Sequence, residues 1–294
     1  MKKPILTIIF YLLILLNAFA QSEEASKITI SANYLLSSIN FSVKGMDNKS
    51  ILTWRDIYLH GGYLNVDFQK APFYFDRSNI SIGFSSSFYG YWTDDDANNR
   101  MNVIHVSTTE TILLELKYEM HTRKSTFNPK LGFDFNMIQF KNYDSRALYG
   151  KPNYPQTLII WQNIEGFVCG YDIYKMGPFA GVSAYFGNRF VYMEASGQIG
   201  TGLYADLGNW KNNSVFKNPV SFLDYGYYFR GGSDIEAGLK LGMFTIFINA
   251  LLTYEINPGF GITQQFLSDD TYPLQLQSFQ LSRASLGAGL KVSF

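Results

Sequence analysis

Arg283-Ala284-Ser285-Leu286-Gly287-Ala288-Gly289-Leu290-Lys291-Val292-Ser293-Phe294 closes the chain. Ala284, Leu286, Ala288, Leu290, Val292 and Phe294 share one parity. Arg283, Ser285, Gly287, Gly289, Lys291 and Ser293 share the other. Successive side chains of a strand point to opposite faces, so this alternation predicts a strand with one apolar and one polar face. The same period recurs upstream. Ile112, Leu114, Leu116, Tyr118 and Met120 alternate with Leu113, Glu115, Lys117 and Glu119. Phe244, Ile246, Ile248, Ala250, Leu252, Tyr254 and Ile256 form another apolar face, as do Ile82, Phe84 and Phe88. These runs outlast the usual soluble strand of about five to six residues. Long strands with one greasy face suit a transmembrane barrel, whose closure also satisfies every backbone polar group.

Ten such segments are legible, over residues 27–43, 51–68, 78–92, 104–120, 130–143, 157–186, 190–204, 225–241, 244–257 and 278–294. Gly187-Asn188-Arg189 and Gly242-Met243 are tight connections. Residues 93–103, 144–156, 205–224 and 258–277 are longer and rich in Asn, Asp, Gly and Pro. The expectation is an all-β fold: a single transmembrane antiparallel β-barrel of about ten strands, with short periplasmic turns and long extracellular loops. An even strand number puts both termini on the periplasmic side. Tyr89, Tyr91, Trp92, Trp161, Tyr225, Tyr227, Tyr228 and Phe229 cluster near strand ends, where aromatic girdles are expected. Ordinary β-propensity is the plainer account of the same residues.

Composition removes other classes. The chain has 294 residues, 24 basic and 24 acidic side chains, and 17% aromatics. Disordered chains are poor in aromatics, and nucleic-acid binders usually carry a basic excess; no nucleic-acid partner is expected. A single cysteine forms neither an internal disulfide nor a cysteine-based zinc site. A mean hydropathy of -0.05 is too polar for a polytopic helical membrane protein. Met1-Lys2-Lys3, the apolar run Ile5 to Leu16, and Ala18-Phe19-Ala20 before Gln21 have the layout of a secretory signal peptide. The other reading, an uncleaved anchor helix, meets an apolar run short for a span. The expected division is 1–20 signal peptide and 21–294 barrel. Cleavage leaves 22 basic against 24 acidic side chains.

Chemistry has few places to sit. His60 and His105 read as lumenal polar residues and His121 as a turn residue. No two share a metal-like spacing on one strand, so no metal or cofactor is expected. Trp92-Thr93-Asp94-Asp95-Asp96-Ala97-Asn98-Asn99-Arg100 opens an outer loop. Alternate carboxylates there repel, which pushes their pKa values apart and suits one as a base toward water. On sequence physics alone a solvated acidic loop, or a weak divalent-cation site, is the plainer reading of these residues. Glu115, Lys117, Glu119, Glu236, Lys240 and Lys291 are expected to form cross-strand ion pairs in the lumen.

Four stretches resemble the omptin family of outer-membrane proteases. Ser50-Ile51-Leu52-Thr53-Trp54 is similar to its Ser-x-Leu-x-Trp, and Gly90 to Asp96 to its Gly-x-x-x-Asp-x-Asp. Lys175-Met176-Gly177-Pro178-Phe179-Ala180-Gly181 is similar to its Lys-Met-Pro-aromatic-x-Gly run with one glycine inserted. Ala288 to Phe294 is similar to its Ala-Gly-Leu-Lys-x-x-Phe terminus, and a terminal aromatic is the usual signal for barrel assembly. The resemblance implies a ten-stranded barrel in the outer membrane of a diderm bacterium, in contact with lipid and lipopolysaccharide. It also implies water activated by an Asp-His pair opposite an Asp pair. Asp94 and Asp96 match the Asp pair. Asp206 is the only carboxylate near the place expected for the Asp-His pair, and no histidine follows His121. His105, just past the second loop and lumenal by parity, is the candidate substitute base. A missing general base costs on the order of 10²–10⁴ in rate.

Three functions follow. One is a surface endopeptidase using Asp94 and Asp96 on water, with Asp206 or His105 assisting. The second is a non-catalytic, monomeric surface barrel that binds a peptide or protein, from a host or a cell surface, through outer loops carrying Tyr149, Tyr154, Trp210 and Tyr272. The third is a small pore, which ten strands disfavour because open channels usually need about sixteen.

Overall fold

A computed structural model describes residues 28–44, 50–69, 71, 75–96, 106–122, 126–149, 160–210, 222–259, 261–266, 271–275 and 278–294. The expected signal peptide lies outside them. Twelve strands follow in chain order: β1 (Ile28–Lys44), β2 (Ser50–Phe68), β3 (Arg77–Asp96), β4 (Val106–His121), β5 (Phe127–Tyr149), β6 (Ile160–Gly187), β7 (Val191–Trp210), β8 (Phe222–Leu241), β9 (Phe244–Asn257), β10 (Gly261–Phe266), β11 (Thr271–Gln275) and β12 (Ser278–Ser293). All pair antiparallel. β1 to β9 pair in sequence, and β12 joins β9 to β1, so ten strands close into a barrel. The short β10 and β11 form a hairpin that extends the outer end of β8. It occupies a stretch expected to be loop.

The alternation that predicts the C-terminal strand holds side chain by side chain. On β12, Leu286 is 68% exposed while Arg283 and Ser285 are buried. Ile248 on β9 is 64% exposed, and its partner Ala288 is exposed beside it. An exposed apolar band circles the barrel. On β7 it runs from Val191 to Leu203, and on β8 from Leu241 to Tyr225. Tyr225, Tyr227 and Phe229 sit at its outer edge, as girdle residues would. Trp92 and Tyr228 do not: both are fully buried inside the barrel. Their parity within the strand, not their nearness to its end, decides their side.

Several strands run past the expected ends. Asp94 and Asp96 stand on β3, not in a loop, and Asp206 stands on β7. Beyond the apolar band the outward face turns polar, with Glu110, Gln280 and Asp144 exposed. A pattern keyed to outward apolar residues therefore stops before the hydrogen-bonded ladder does. The inner turns are tight as expected. Asn188 Oδ1 accepts from Phe190 N at 2.8 Å and Val191 N at 3.0 Å. Gly242 takes φ 67° in the β8–β9 turn, a conformation glycine adopts without steric cost.

The interior is not uniformly polar. Its outer half is an aromatic and aliphatic core: Phe41, Trp54 and Phe140 have ring centroids 5.2 to 5.6 Å apart, with Trp92 6.1 Å from Trp54. Each such pair contributes about 0.5–1.5 kcal/mol beyond its buried area. Inside this layer Asn142 Oδ1 accepts from Trp54 Nε1 at 3.2 Å and Thr109 Oγ1 at 2.8 Å. Asn142 Nδ2 donates to Cys169 Sγ at 3.0 Å, so the free cysteine is a buried packing residue. The inner half is charged and encloses a cavity of about 540 Å³ that reaches Gly242 and Ser293 at the short-turn rim.

Candidate functional site

Asp206 is the site residue whose side chain the structure places. The ladder sets it opposite Asp224 on β8 and beside Ile173 on β6. Both aspartates are 2% exposed. Tyr171 OH donates to Asp224 Oδ2 at 3.3 Å. Tyr204 closes the same region, with its ring 4.7 Å from Phe279. The pair lies beyond the outer edge of the apolar band. Burial raises the Asp206 carboxyl well above the usual carboxylate range, and the facing Asp224 raises it further by charge repulsion and a shared hydrogen bond. Two buried carboxyls in contact do not both ionise readily, so burial and the facing carboxyl both favour the protonated form of Asp206. Asp206 Oδ1 has no hydrogen-bond partner among the described residues.

Asp206 thus meets a second carboxyl, Asp224, from a stretch expected to be loop, and no histidine reaches it among the described residues. His60 was expected in the lumen and is exposed on the outer wall, its Nε2 3.5 Å from Ser86 Oγ. A bulge explains the reversal. Asp56 takes φ 50° and shifts the β2 register between Arg55 and Tyr58. One extra residue flips the parity of all that follows. His121 is the last residue of β4 and lines the inner cavity, 3.8 Å from Glu119. His105 lies outside the described residues. A register shift between Val106 and Thr108 also interrupts the parity count that put it in the lumen.

The backbone sets Asp94 opposite Leu52 and Asp96 opposite Ser50, two and four residues beyond buried Trp92. Their side chains lie outside what is described. β3 and β7 are four strands apart around the ring, so the two acidic sets sit on nearly opposite walls of one mouth. Tyr154 lies outside the described residues, and only the backbone of Tyr149, Trp161, Trp210 and Tyr272 is described. Asp224 was missed because 205–224 read as a loop. The signal was present: Tyr225, Tyr227 and Phe229 face out, which turns Asp224, Gly226 and Tyr228 inward.

Below the mouth, charges pair across the lumen. Glu115 accepts from Arg283 Nη1 at 2.6 Å and from Tyr63 OH. Lys175 pairs with Glu255, Arg230 with Asp134, and Lys291 with Glu236. Lys117 meets Glu119 at 2.6 Å. Of the expected cross-strand pairs Lys291–Glu236 forms, Lys117–Glu119 runs along β4 instead, and Arg283, Lys175, Arg230, Asp134 and Glu255 join the network. Lys240 instead donates to Tyr185 OH at 2.8 Å and Asn188 O at 2.9 Å. Among the described residues no cluster of His, Cys, Asp and Glu is arranged to hold a metal.

No family model matches the chain, and no curated protein matches it. Solved structures do. The outer membrane protease OmpT from Escherichia coli aligns over 92% of this chain and 98% of its own, at 12% identity and a TM-score of 0.69. The translocator domain of the autotransporter NalP from Neisseria meningitidis aligns over 92% and 91%, at 7% identity and a TM-score of 0.40. The Pseudomonas putida toluene transporter TodX aligns over 94% and 90%, at 8% identity and a TM-score of 0.32. The chain has the fold of an outer-membrane β-barrel.

Proposed function

We propose that this chain is a monomeric surface barrel of omptin-like architecture, exported by its N-terminal segment to the outer membrane of a diderm bacterium. Its outer end binds a peptide or protein and does not hydrolyse it. The apolar band supports a lipid setting, and lipopolysaccharide is the lipid the resemblance implies. The observation that carries the non-catalytic reading is Asp206, buried at 2% exposure against Asp224. An imidazole with a pKa near about 6.5 accepts a proton from water far better than a carboxylate near about 4. Among the described residues the carboxyl pair beside Tyr171 and Tyr204 has no histidine partner, and at 2% exposure it has little access to water.

Hydrolysis is the second reading. Asp94 and Asp96 at the end of β3 favour it, because a mouth with carboxylates on two walls can flank a scissile bond. One experiment separates the two. The purified barrel, reconstituted with lipopolysaccharide, is presented with a broad peptide library and with extracellular protein extracts. Retention without cleavage is the expected result. Cleavage that Asp94→Ala and Asp96→Ala abolish establishes the endopeptidase instead. A barrel that neither retains nor cuts anything overturns both.

A further inference from the structure

The apolar band is not equally tall around the barrel. On β1 the outward apolar residues run from Ile30 to Leu36, and Ser38, Asn40, Ser42 and Lys44 follow on the same face. On β3 they run from Ile80 to Phe84, and Ser86 follows. On β12 the run ends at Ala284, and Ser282 and Gln280 follow. On β8 it reaches from Leu241 to Tyr225, with Ser233 and Gly231 within it. At about 3.3 Å per residue and a strand tilt of about 40°, the β1 run covers about 15 Å of barrel height and the β8 run about 40 Å. A spanning barrel usually carries an apolar band of about 25 Å.

Ladder partners fix which residues stand level. Followed once round the barrel from Thr29 through Glu119, Phe179 and Glu255, the ladder returns to β1 at Phe41, twelve residues nearer the mouth. Each step in that direction climbs toward the mouth by about a tenth of this. The row of Ser38 runs back through Ala284 and Leu252 to Ser233 on β8. Three steps of climb therefore set Ser38 level with Phe229, about four residues nearer the mouth than Ser233. At this level the far wall shows Phe229, Leu203 and Met176, 46%, 52% and 44% exposed. The near wall shows Ser282, Ser38, His60 and Ser86. The band on β8 also starts deeper, because Leu241 shares a row with Ile30 and the same climb sets it below. Tilting the whole barrel lowers one edge of the band and raises the other, and it cannot shorten both.

Hydrocarbon gives hydroxyl, amide and imidazole groups no hydrogen-bond partner. Lipid headgroups and their water do, and a bilayer meets a short apolar wall by thinning beside it. Above the polar rows Lys44 and Arg55 point outward and are exposed, while Asp56 accepts from Tyr91 OH at 2.8 Å. Such a basic edge suits the phosphates of lipid headgroups. Small side chains leave an open groove of about 360 Å³ that runs from Ser38 and Asn40 across Ser282 and Ala284 to Ser233. We propose that the bilayer thins along β12, β1, β2 and β3, so that lipid headgroups lie against Ser38, Ser282, His60 and Ser86. Acyl chains lie against the opposite wall at the same level. This rests on the reading of the band as lipid-facing.

The test places a nitroxide label on four variants, Ser38→Cys and Ser282→Cys on the near wall, Leu203→Cys and Phe229→Cys on the far wall. Native Cys169 is buried, and the unaltered barrel sets the background. Each labelled barrel is reconstituted at low density in vesicles of phosphatidylcholine and phosphatidylglycerol. Collisions of the label with a water-soluble nickel chelate, and with oxygen, which concentrates in hydrocarbon, are read by spin resonance. Nickel collisions are expected to be several-fold more frequent at Ser38 and Ser282 than at Leu203 and Phe229, and oxygen collisions less frequent. Few nickel and many oxygen collisions at all four positions mean that acyl chains cover both walls; this overturns the proposal and leaves the lipid-facing reading standing. Frequent nickel collisions at all four remove that reading and the proposal together. Dipolar broadening between Ser38 labels that grows with barrel density shows a second copy on this wall in place of headgroups, and also overturns the proposal.

Discussion

The carboxyl pair at the outer end shows how one side chain changes what its neighbour can do. Asp206 and Asp224 face each other on adjacent strands, both buried, with Tyr171 donating to Asp224. An ordinary aspartate ionises near about 3.9. Burial first, and Asp224 second, raise the folded-state value for Asp206. A raised carboxyl binds its proton more tightly in the folded barrel than in the unfolded chain. Its contribution is therefore fully present below about pH 3.9 and lost as pH rises through the folded-state value. Asp206→Asn keeps the shape and supplies an amide N–H to Asp224 permanently. The variant is expected to match the unaltered barrel in acid and to exceed it in stability at neutral and alkaline pH, with a flatter profile between. Urea midpoints measured from pH 4 to 9 check this. A variant less stable than the unaltered protein at pH 8 shows that Asp206 is ionised and satisfied there.

At the scale of strands, lipid-facing apolarity and backbone pairing are separate properties that overlap for only part of each strand. The ten strands were legible because the band residues alternate with lumen residues, as Leu286 and Ser285 do on β12. Their outer ends were not, because Glu110 on β4 and Gln280 on β12 face out beyond the band. That is why Asp94, Asp96 and Asp206 read as loop residues and Asp224 went unnoticed. Parity is also reset at a bulge, and on β2 that sets the polar His60 on the outer face. The aromatic core had no local signal, since Phe41, Trp54 and Phe140 come from three strands and meet only on closure. The band itself makes a test. Ile248 stands midway along it on β9. Arginine at a lipid-facing midplane position costs about 2–4 kcal/mol, whereas a plain surface change stays within about 0.5 kcal/mol. Ile248→Arg should destabilise the barrel in phospholipid vesicles by the larger amount, and Gln280→Arg by the smaller. Equal, small effects would show that these strands do not face lipid.

For the whole molecule, the two halves of the lumen close by different physics. The inner half closes by charge: Arg283 with Glu115, Lys175 with Glu255 and Arg230 with Asp134 span it. Removing one partner of such a pair typically costs about 3–5 kcal/mol because the other is left buried and unmatched. The outer half closes by packing: Ile39, Ile57, Leu59 and Ile173 lie with the aromatic rings, all 0–1% exposed. Ion passage needs a continuous water column, and a packed apolar layer offers an ion neither water nor counter-charge. Ions entering the inner cavity therefore stop at the level of Leu281 and Ile39, which line its far end. Planar bilayers with the purified barrel are expected to show no stepwise conductance at either polarity, even in molar salt, where screening weakens the ion pairs but not the packing. Steps that appear only in molar salt would mean that charge alone closes the lumen and that the aromatic layer yields. Steps at all salt concentrations would make this barrel a pore and remove the ground for reading its outer end as a binding surface.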